Sequence, residues 1–156
     1  MGGIVVRAAE ARDAEAMSLV LTPILARWGS ARAGDAATVM AQYVAHPDRL
    51  ACSVAVGDGV VLGFQSLKRA TAGNPYGLAP GWGIIGTYVD AAAAGRGVGR
   101  TLFAASRAAA EAEGLIAIDA TIGRGNAEGQ AYYEAMGFRA YRETATAIAK
   151  RFDLTV

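Results

Sequence analysis

The sequence predicts one α+β domain spanning residues 1–156. Three observations favour this class: strand-like runs alternate with helical runs along the chain, a glycine-containing turn joins two of the strands, and a glycine-rich loop joins a later strand to a helix. A chain of 156 residues with 53% apolar content can bury one hydrophobic core. No segment repeats at a fixed period, so a repeat array is not expected.

The first third of the chain is predicted to contain a strand and two helices. Strand Gly3–Ala8 is followed by a helix over Asp13–Leu25. Asp35 can cap a second helix that runs to about Ala45, because Pro47 disfavours helical geometry in the residue before it. The apolar face of the first helix comprises Ala16, Met17, Val20, Leu21 and Ile24.

The middle of the chain is predicted to form a hairpin and a further strand. Leu50–Val56 and Val60–Lys68 are apolar, β-branched runs. Residues 57–59, with the sequence Gly-Asp-Gly, can adopt the positive φ angles of a tight turn between them. Ala70–Gly81 is rich in glycine and proline and is predicted to be an extended loop. Trp82–Val89 then has the composition of a strand.

After the glycine-rich loop, a helix and a strand are predicted. Arg100–Glu113 is rich in helix-forming residues, and Gly114 provides a C-terminal stop. In Ile116–Ile122 apolar residues alternate with small or polar ones, which predicts a strand. The candidate buried stripe of the helix comprises Leu102, Phe103 and Ala109.

One more helix and two strands complete the predicted order. Asn126 can cap a helix that extends through Met136, and Gly137 can end it. Phe138–Tyr141 and Ala145–Leu154 are predicted to be the final strands.

Charge and cysteine content restrict the expected partners and compartment. The formal net charge of +1 offers no excess of basic residues for nucleic acid or an anionic membrane. Cys52 is the one cysteine in the sequence, so neither a disulfide framework nor a set of thiolate metal ligands is expected. No apolar run approaches the roughly 20 residues of a membrane helix, and the residues after Met1 do not resemble a signal peptide. We therefore expect a cytoplasmic protein.

The segment from Tyr88 to Thr101 is the most informative part of the sequence. It joins a strand to a helix through three closely spaced glycines. The first turn of a helix has unpaired N–H groups and a positive dipole end, and glycine allows an anion to approach closely, so the loop fits a pyrophosphate. Arg96 and Arg100 add positive charge. Neither a dinucleotide-binding fingerprint nor a P-loop is matched, and on this loop alone an ordinary tight turn remains an equal alternative.

A second motif follows one strand and one helix later. Residues 126–138 read Asn-Ala-Glu-Gly-Gln-Ala-Tyr-Tyr-Glu-Ala-Met-Gly-Phe, and Tyr133, Glu134, Gly137 and Phe138 form a Tyr-Glu-x-x-Gly-Phe ending. Together with the glycine loop, this pattern resembles the GCN5-related N-acetyltransferase (GNAT) superfamily. The resemblance extends to the order of elements along nearly the whole chain, and it is closest to the phosphinothricin and amino-acid N-acetyltransferase branch.

The resemblance implies a fold and a substrate. The GNAT fold has a mixed, mostly antiparallel sheet flanked by helices, with the glycine loop between strand 4 and helix 3. The acyl donor would be acetyl-CoA, without a metal. The pantetheine arm would lie beside Tyr88 and Val89, and Asn126 would meet the pantetheine or the adjacent backbone. The pyrophosphate would lie against Gly95, Arg96, Gly97, Val98, Gly99, Arg100 and Thr101.

One position departs from the family pattern. The motif has Arg or Gln three residues before Gly97, where this chain has Ala94. Because the family binds the phosphates mainly through backbone N–H groups, we expect the loss of a side-chain contact and retention of the cradle.

The same resemblance assigns Tyr133 as the general acid, whose hydroxyl would protonate the departing thiolate. The alternative is a buried structural tyrosine. Tyr132 and Tyr133 are expected on different faces of the helix, with Tyr132 in the structural role.

A proton acceptor for the attacking amine is not evident. Trp82–Val89 contains no Asp, Glu or His, so water is one candidate. Asp90 and Asp119 could position it, although exposed, solvated carboxylates are expected at both positions. His46 is expected in a surface turn, and Cys52 as a buried apolar residue.

The acceptor is expected to be a small primary amine, in the first instance an amino acid or an analogue of one. Trp28, Tyr76 and Trp82 are candidate pocket walls, although they could equally cover core or a subunit contact. The absence of an acidic cluster disfavours a polyamine. Two alternatives remain: a peptide N-terminal acetyltransferase and a non-catalytic acyl-CoA sensor. The apolar composition is compatible with a homodimer, and the resemblance to the family implies that one can form.

Overall fold

A seven-stranded sheet organises the chain in the computed structural model, which describes residues 3–154. The strand order is β1-β2-β3-β4-β5-β7-β6. All neighbouring strands pair antiparallel except β4 and β5, which pair parallel. The predicted α+β class and the mixed, mostly antiparallel sheet are confirmed. The strands are β1 Ile4–Ala8, β2 Arg49–Gly57, β3 Val60–Arg69, β4 Trp82–Val89, β5 Ala117–Gly123, β6 Arg139–Glu143 and β7 Ala147–Asp153.

Four helices cover the sheet, namely α1 Ala14–Arg27, α2 Ala36–Val39, α3 Val98–Ala112 and α4 Ala127–Met136. The predicted second helix changes character, because α2 continues as a π-helical turn over Met40–Val44. Helix α3 begins two residues earlier than predicted, directly after the glycine loop. In the part of the chain that the structure describes, no helix combines the length and apolarity needed to cross a membrane.

The β2–β3 hairpin forms as the sequence predicts. Gly57 and Val60 are the last register pair, so the turn consists of Asp58 and Gly59, with φ angles of 51° and 79°. Two consecutive positive φ angles are typical of the type I′ turn, whose twist matches that of the flanking strands.

Apolar layers lie on both faces of the sheet. The layer under α1 and α2 includes Met17, Leu21, Val54, Phe64 and Tyr88. The layer under α3 and α4 includes Leu67, Ile85, Phe103, Ile118 and Phe138. Ile85 and Tyr88, three positions apart on β4, therefore contribute to opposite layers, as expected for a strand that is covered on both sides.

Asp13 connects the end of β1 to the beginning of α1. Its carboxylate accepts two hydrogen bonds from the Arg7 guanidinium, at 2.8 and 2.9 Å, and one from the Glu10 backbone N–H at 2.8 Å. Asp13 is only 5% exposed. The hydrogen bond from Arg7 is the largest of the effects that lower the pKa of Asp13 below its usual value.

We predict that Asp13→Asn lowers the free energy of unfolding at pH 7 by about 1–3 kcal/mol, because the change breaks a buried, charge-assisted pair. The folded-state pKa of Asp13 lies below the unfolded value. Its contribution is therefore present above the unfolded pKa and is lost as the pH falls through the lowered folded value. Urea unfolding at pH 7 and at pH 3 should show the gap between wild type and variant closing at the lower pH.

Glu113→Gln is the control for this prediction. It removes an exposed ion pair to Arg69 at 3.2 Å, which should be worth less than about 1 kcal/mol. Equal losses of unfolding free energy in the two variants would contradict the role of Asp13 in connecting β1 to α1.

Candidate active site

A cleft opens where β4 and β5 separate. The two strands share only three register pairs, Trp82–Ile84 with Ala117–Asp119. Beyond these pairs β4 stays with β3 as far as Val89, and β5 stays with β7 as far as Gly123. Each strand thus keeps its hydrogen bonds on the outer side, while the inner edges face one another across a cleft of about 1320 Å³.

The glycine loop forms one end of this cleft. Asp90 starts it as the cap of a short 3₁₀ turn, Ala91–Ala93, and its side chain accepts the Ala92 N–H at 2.9 Å. Gly95 and Gly97 have φ angles of 81° and 78°, which non-glycine residues rarely adopt. A Cβ at either position would meet no atom within 4 Å, so the surface of the loop is open.

The structure places most of the predicted loop residues at the cleft, but two lie elsewhere. The Arg96 guanidinium turns toward the β2–β3 hairpin, 3.3 Å from where a Cβ on Gly57 would lie. The Thr101 hydroxyl donates to the Gly97 carbonyl at 2.8 Å, so its hydrogen bond is made to the start of its own helix and not toward the cleft. Predicted site residues that border the cleft are Tyr88, Val89, Gly95, Gly97, Val98, Gly99, Arg100, Asn126 and Tyr133.

Gly99 has a packing role that the sequence did not reveal. The Tyr132 hydroxyl donates to the Gly99 carbonyl at 2.7 Å, and its ring covers the glycine. A Cβ on Gly99 would lie 2.5 Å from Cε1 of that ring, which is too close for any side chain. The absence of a side chain at this position therefore lets α4 approach the first turn of α3.

Tyr133 belongs to α4, and its hydroxyl reaches β4, where it joins a hydrogen-bonded network. The hydroxyls of Tyr133 and Thr87 are 2.8 Å apart. Gln65 donates from Nε2 to Thr87 at 2.8 Å and to the Tyr132 hydroxyl at 3.0 Å. Burial raises the pKa of Tyr133, so at neutral pH the phenol keeps its proton.

Both tyrosines border the cleft, although successive helical residues point in different directions and their hydroxyls reach different partners. Their ring centroids are 4.9 Å apart. Burial raises the pKa of Tyr132 to about 12. The two hydroxyls differ in their contacts, since Tyr132 donates to the backbone of α3 and accepts from Gln65, whereas Tyr133 contacts the Thr87 hydroxyl on β4.

Asn126 and Gly137 delimit α4 as predicted. The Asn126 side chain accepts the Gly129 N–H at 2.9 Å, and Gly137 ends the helix with a φ of 108°. Asn126 thus has a capping role, while it also borders the cleft.

The opposite half of the cleft is aromatic and cationic. The Tyr43 and Tyr88 hydroxyls are 3.2 Å apart, and Nη2 of Arg32 donates to them at 2.7 and 3.3 Å. The Lys68 ammonium lies 5.1 Å from the centroid of the Tyr43 ring. Burial is the largest of the effects that lower the pKa of Lys68. Among residues 3–154, no carboxylate lies within 4.0 Å of the Arg32 or Lys68 charge.

Asp119 differs most from expectation. The sequence favoured a solvated carboxylate, but Asp119 is fully buried. It accepts hydrogen bonds from the Tyr141 hydroxyl and from the Thr121 hydroxyl, the latter at 2.7 Å. The alternation of Ile116–Ile122 was read correctly as a strand, but the polar face near Asp119 is not open to solvent, because the Tyr141 side chain from β6 of the same sheet reaches across to it and packs against Trp82. Asp90 is partly buried as the cap described above.

The remaining candidates are placed as follows. Trp28 and Tyr76 border the cleft, whereas Trp82 packs against Tyr141 at a ring distance of 5.8 Å. His46 lies outside the cleft, and its Nδ1 accepts the Asp48 N–H at 3.0 Å. Cys52 is buried, and burial raises the pKa of its thiol to about 11, so it is not a nucleophile.

Several residues of the cleft were missed by the sequence analysis. Gln65 carried a weak signal, because it interrupts an apolar strand and is fully buried. No sequence signal marked four further residues, because each becomes recognisable only through a partner distant in sequence. They are Arg32, Lys68, Thr87 and Thr121. Within the described residues 3–154, no group of three or more His, Cys, Asp or Glu side chains could hold a metal ion.

Residues 16–138 match the family model described as the acetyltransferase (GNAT) family. No curated protein sequence matches the chain.

Solved structures share the fold along almost the entire chain. A GCN5-related N-acetyltransferase from Kribbella flavida is 24% identical with a TM-score of 0.81, covering 97% of this chain and 98% of that one. A candidate phosphinothricin N-acetyltransferase is 21% identical with a TM-score of 0.79, covering 99% and 100%. A candidate acetyltransferase from Salmonella typhimurium, solved with its cofactor acetyl-CoA, is 21% identical with a TM-score of 0.78, covering 98% and 95%.

Proposed function

Since the chain belongs to the acetyltransferase (GNAT) family, we propose that it transfers the acetyl group of acetyl-CoA to the primary amine of a small molecule, with an amino acid or an analogue as acceptor. One observation carries the proposal. A single cleft connects an open glycine loop, the Thr87–Tyr133 hydroxyl pair and a cationic, aromatic pocket. Donor, proton source and acceptor can therefore meet within one cavity.

The glycine loop fits the diphosphate of acetyl-CoA. The amides of Val98, Gly99 and Arg100 belong to the first turn of α3 and have no carbonyl partner earlier in the helix. The helix dipole adds positive potential there, and Arg100 adds a formal charge beside the cleft. The glycines leave space for the phosphates, so Ala94 in place of Arg or Gln removes one side-chain contact and leaves the backbone cradle in place.

Tyr133 is proposed as the general acid. When bound, acetyl-CoA supplies an activated acetyl group, and its departing thiolate needs a proton. The raised pKa of Tyr133 keeps the phenol protonated at neutral pH, and Thr87 holds its hydroxyl toward β4. Tyr133 can donate this proton to the sulfur as the carbon–sulfur bond breaks.

The charges of the pocket favour an acceptor that carries an anionic group. Arg32 and Lys68 have no carboxylate partner within the described chain, and a carboxylate on the acceptor would provide one. Polyamines are disfavoured for the same reason, because two cations already face the pocket. An amino acid combines the required amine with the complementary charge.

A peptide N-terminal acetyltransferase and a non-catalytic acyl-CoA sensor are the alternatives. An assay of thiol release from acetyl-CoA over amino acids, matched amines without a carboxylate, and peptides separates the three. Turnover confined to peptides would contradict the small-molecule proposal. Tight binding of CoA without any turnover would favour the sensor.

We predict that Gly97→Val raises the Kd for CoA at least about tenfold, because a branched side chain would obstruct the phosphates and the left-handed backbone would be strained. Isothermal calorimetry measures the effect. Gly73→Val is a matched control, since Gly73 has nearly the same φ, 77°, equally open surroundings and a position away from the cleft. An unchanged Kd for CoA in Gly97→Val would contradict the proposal that the glycine loop binds the diphosphate.

Tyr133→Phe should lower kcat by about 10- to 100-fold, the low end of general-acid effects, because a thiolate is already a fair leaving group. The Kd for CoA should stay the same. Tyr132→Phe is the comparison and should lower kcat less than Tyr133→Phe does, because the Tyr132 hydroxyl contacts the Gly99 carbonyl and Gln65, whereas the Tyr133 hydroxyl is the proposed proton source. Steady-state kinetics at saturating acetyl-CoA checks both, and an unaltered kcat in Tyr133→Phe would remove this residue from the mechanism.

Arg32→Gln should raise KM for an amino acid about 10- to 100-fold, equivalent to one charge-assisted hydrogen bond. KM for the matched amine that lacks a carboxylate should not change. Arg69→Gln, at an exposed position beside Glu113, is the control. An equal rise in KM for both acceptors would show that Arg32 supports the structure of the pocket but does not bind the carboxylate of the acceptor.

A further inference from the structure

The buried carboxylate of Asp119 is not used by the proposed mechanism, yet it lies at the point where the cleft begins. Asp119 belongs to the last parallel register pair between β4 and β5, opposite Ile84. The Thr121 hydroxyl donates to it at 2.7 Å, and Thr121 borders the cleft. A buried carboxyl group is thus connected to the cleft through the exposed Thr121 hydroxyl.

The register places Thr121 near the reacting groups. Counting two residues along each strand from the Ile84–Asp119 pair leads to Gly86 on β4 and Thr121 on β5. The next residue of β4 is Thr87, whose hydroxyl is 2.8 Å from that of Tyr133. Thr121 therefore lies at about the level of the Thr87–Tyr133 pair along the cleft. Its side chain shares the face of Asp119 and Tyr88, opposite the face that carries Tyr133, and so borders the cleft from the side of α1 and α2.

The cleft offers few other proton acceptors. An alkyl amine with a pKa of about 10 is mostly protonated at neutral pH and must lose protons during the reaction. Among the described residues that border the cleft, Glu128 carries the one carboxylate. It lies exposed in the first turn of α4, beside Arg27 and Trp28.

We propose that Thr121 and Asp119 together accept the proton of the attacking amine. This inference rests on the proposed function. The amine enters the cleft in its neutral form, its ammonium proton having gone to solvent. As the nitrogen forms its bond to the thioester carbon, one N–H proton passes to Oγ1 of Thr121, and the proton already on Thr121 passes to Asp119. The carbon–sulfur bond breaks with its electron pair on sulfur, which takes the proton of Tyr133. Exchange with solvent then returns the proton from Asp119 and restores Tyr133. In this proposal Oγ1 of Thr121 contacts the amine. Asp119 does not contact the amine and acts through Thr121 as a positioning residue.

Within residues 3–154, the groups around Asp119 include no cation that pairs with its carboxyl group. Its direct partners are neutral, namely the hydroxyls of Thr121 and Tyr141. Arg151 lies opposite on β7, but its guanidinium is over the rings of Trp82 and Tyr141 and pairs with Asp153. The other titratable groups that sense its charge are Tyr76, in the loop before β4, and Tyr133 on α4.

Four variants of the full chain test the proposal, with acceptors that differ in amine basicity, such as an amino acid and its fluorinated analogue. Asp119→Asn and Thr121→Val should each lower kcat/KM on the order of 10²-fold for the basic amine. The loss should shrink below about tenfold for the electron-poor amine, which needs less help to release its proton. Thr121→Ser keeps the hydroxyl and should retain activity within about threefold.

Tyr141→Phe separates catalysis from structural support. If Asp119 only anchored Tyr141, this variant would reproduce the loss of Asp119→Asn; the proposal expects activity within about threefold of wild type. An equal loss in both variants, or a loss independent of amine basicity, would overturn the inference. Thermal unfolding and the Kd for CoA report whether each variant keeps its fold and donor site. A wild-type protein that acetylates no amine would instead overturn the proposed function.

Discussion

The brevity of the contact between β4 and β5 is the constraint on which the site depends. Three parallel register pairs hold the strands together, and the outer neighbours β3 and β7 then hold them apart. A separated pair exposes inner strand edges, which is costly in a core but useful where a substrate can occupy the space. The glycine loop, the Thr87–Tyr133 pair and the buried Asp119 all take their positions from this separation.

The two halves of the cleft use different parts of the chain. The half beside α3 and α4 presents backbone amides, which depend on glycine conformation and on the start of a helix. The half beside α1 and α2 presents side chains, namely the Arg32 guanidinium, the Lys68 ammonium and a cluster of phenols. Binding by backbone tolerates sequence change outside the glycines, whereas binding by side chains varies with each substitution. This contrast accounts for a proposed donor site that can be recognised in the sequence and a proposed acceptor site that cannot.

Local signals predicted most of the fold. Trp82–Val89 has the predicted bounds, and the hairpin turn and the ends of α4 follow from glycine and asparagine at fixed positions. Residues whose roles depend on distant partners could not be predicted. Asp119 looked solvated because alternation along a strand does not tell whether other side chains cover its polar face. Trp28 and Tyr76 were named as candidate pocket walls and do border the cleft, but Arg32 was missed, since Arg32 and Tyr88 are 56 positions apart and meet only in the folded chain.

The contact between Tyr132 and Gly99 has a mechanical consequence. The ring lies against the glycine and its hydroxyl is bonded to the carbonyl, so this contact joins the start of α3 to α4. Any side chain at Gly99 would meet the Tyr132 ring and displace it. Because Tyr133 is the next residue of the same helix, such a substitution would alter the position of both phenols at once, although neither was changed.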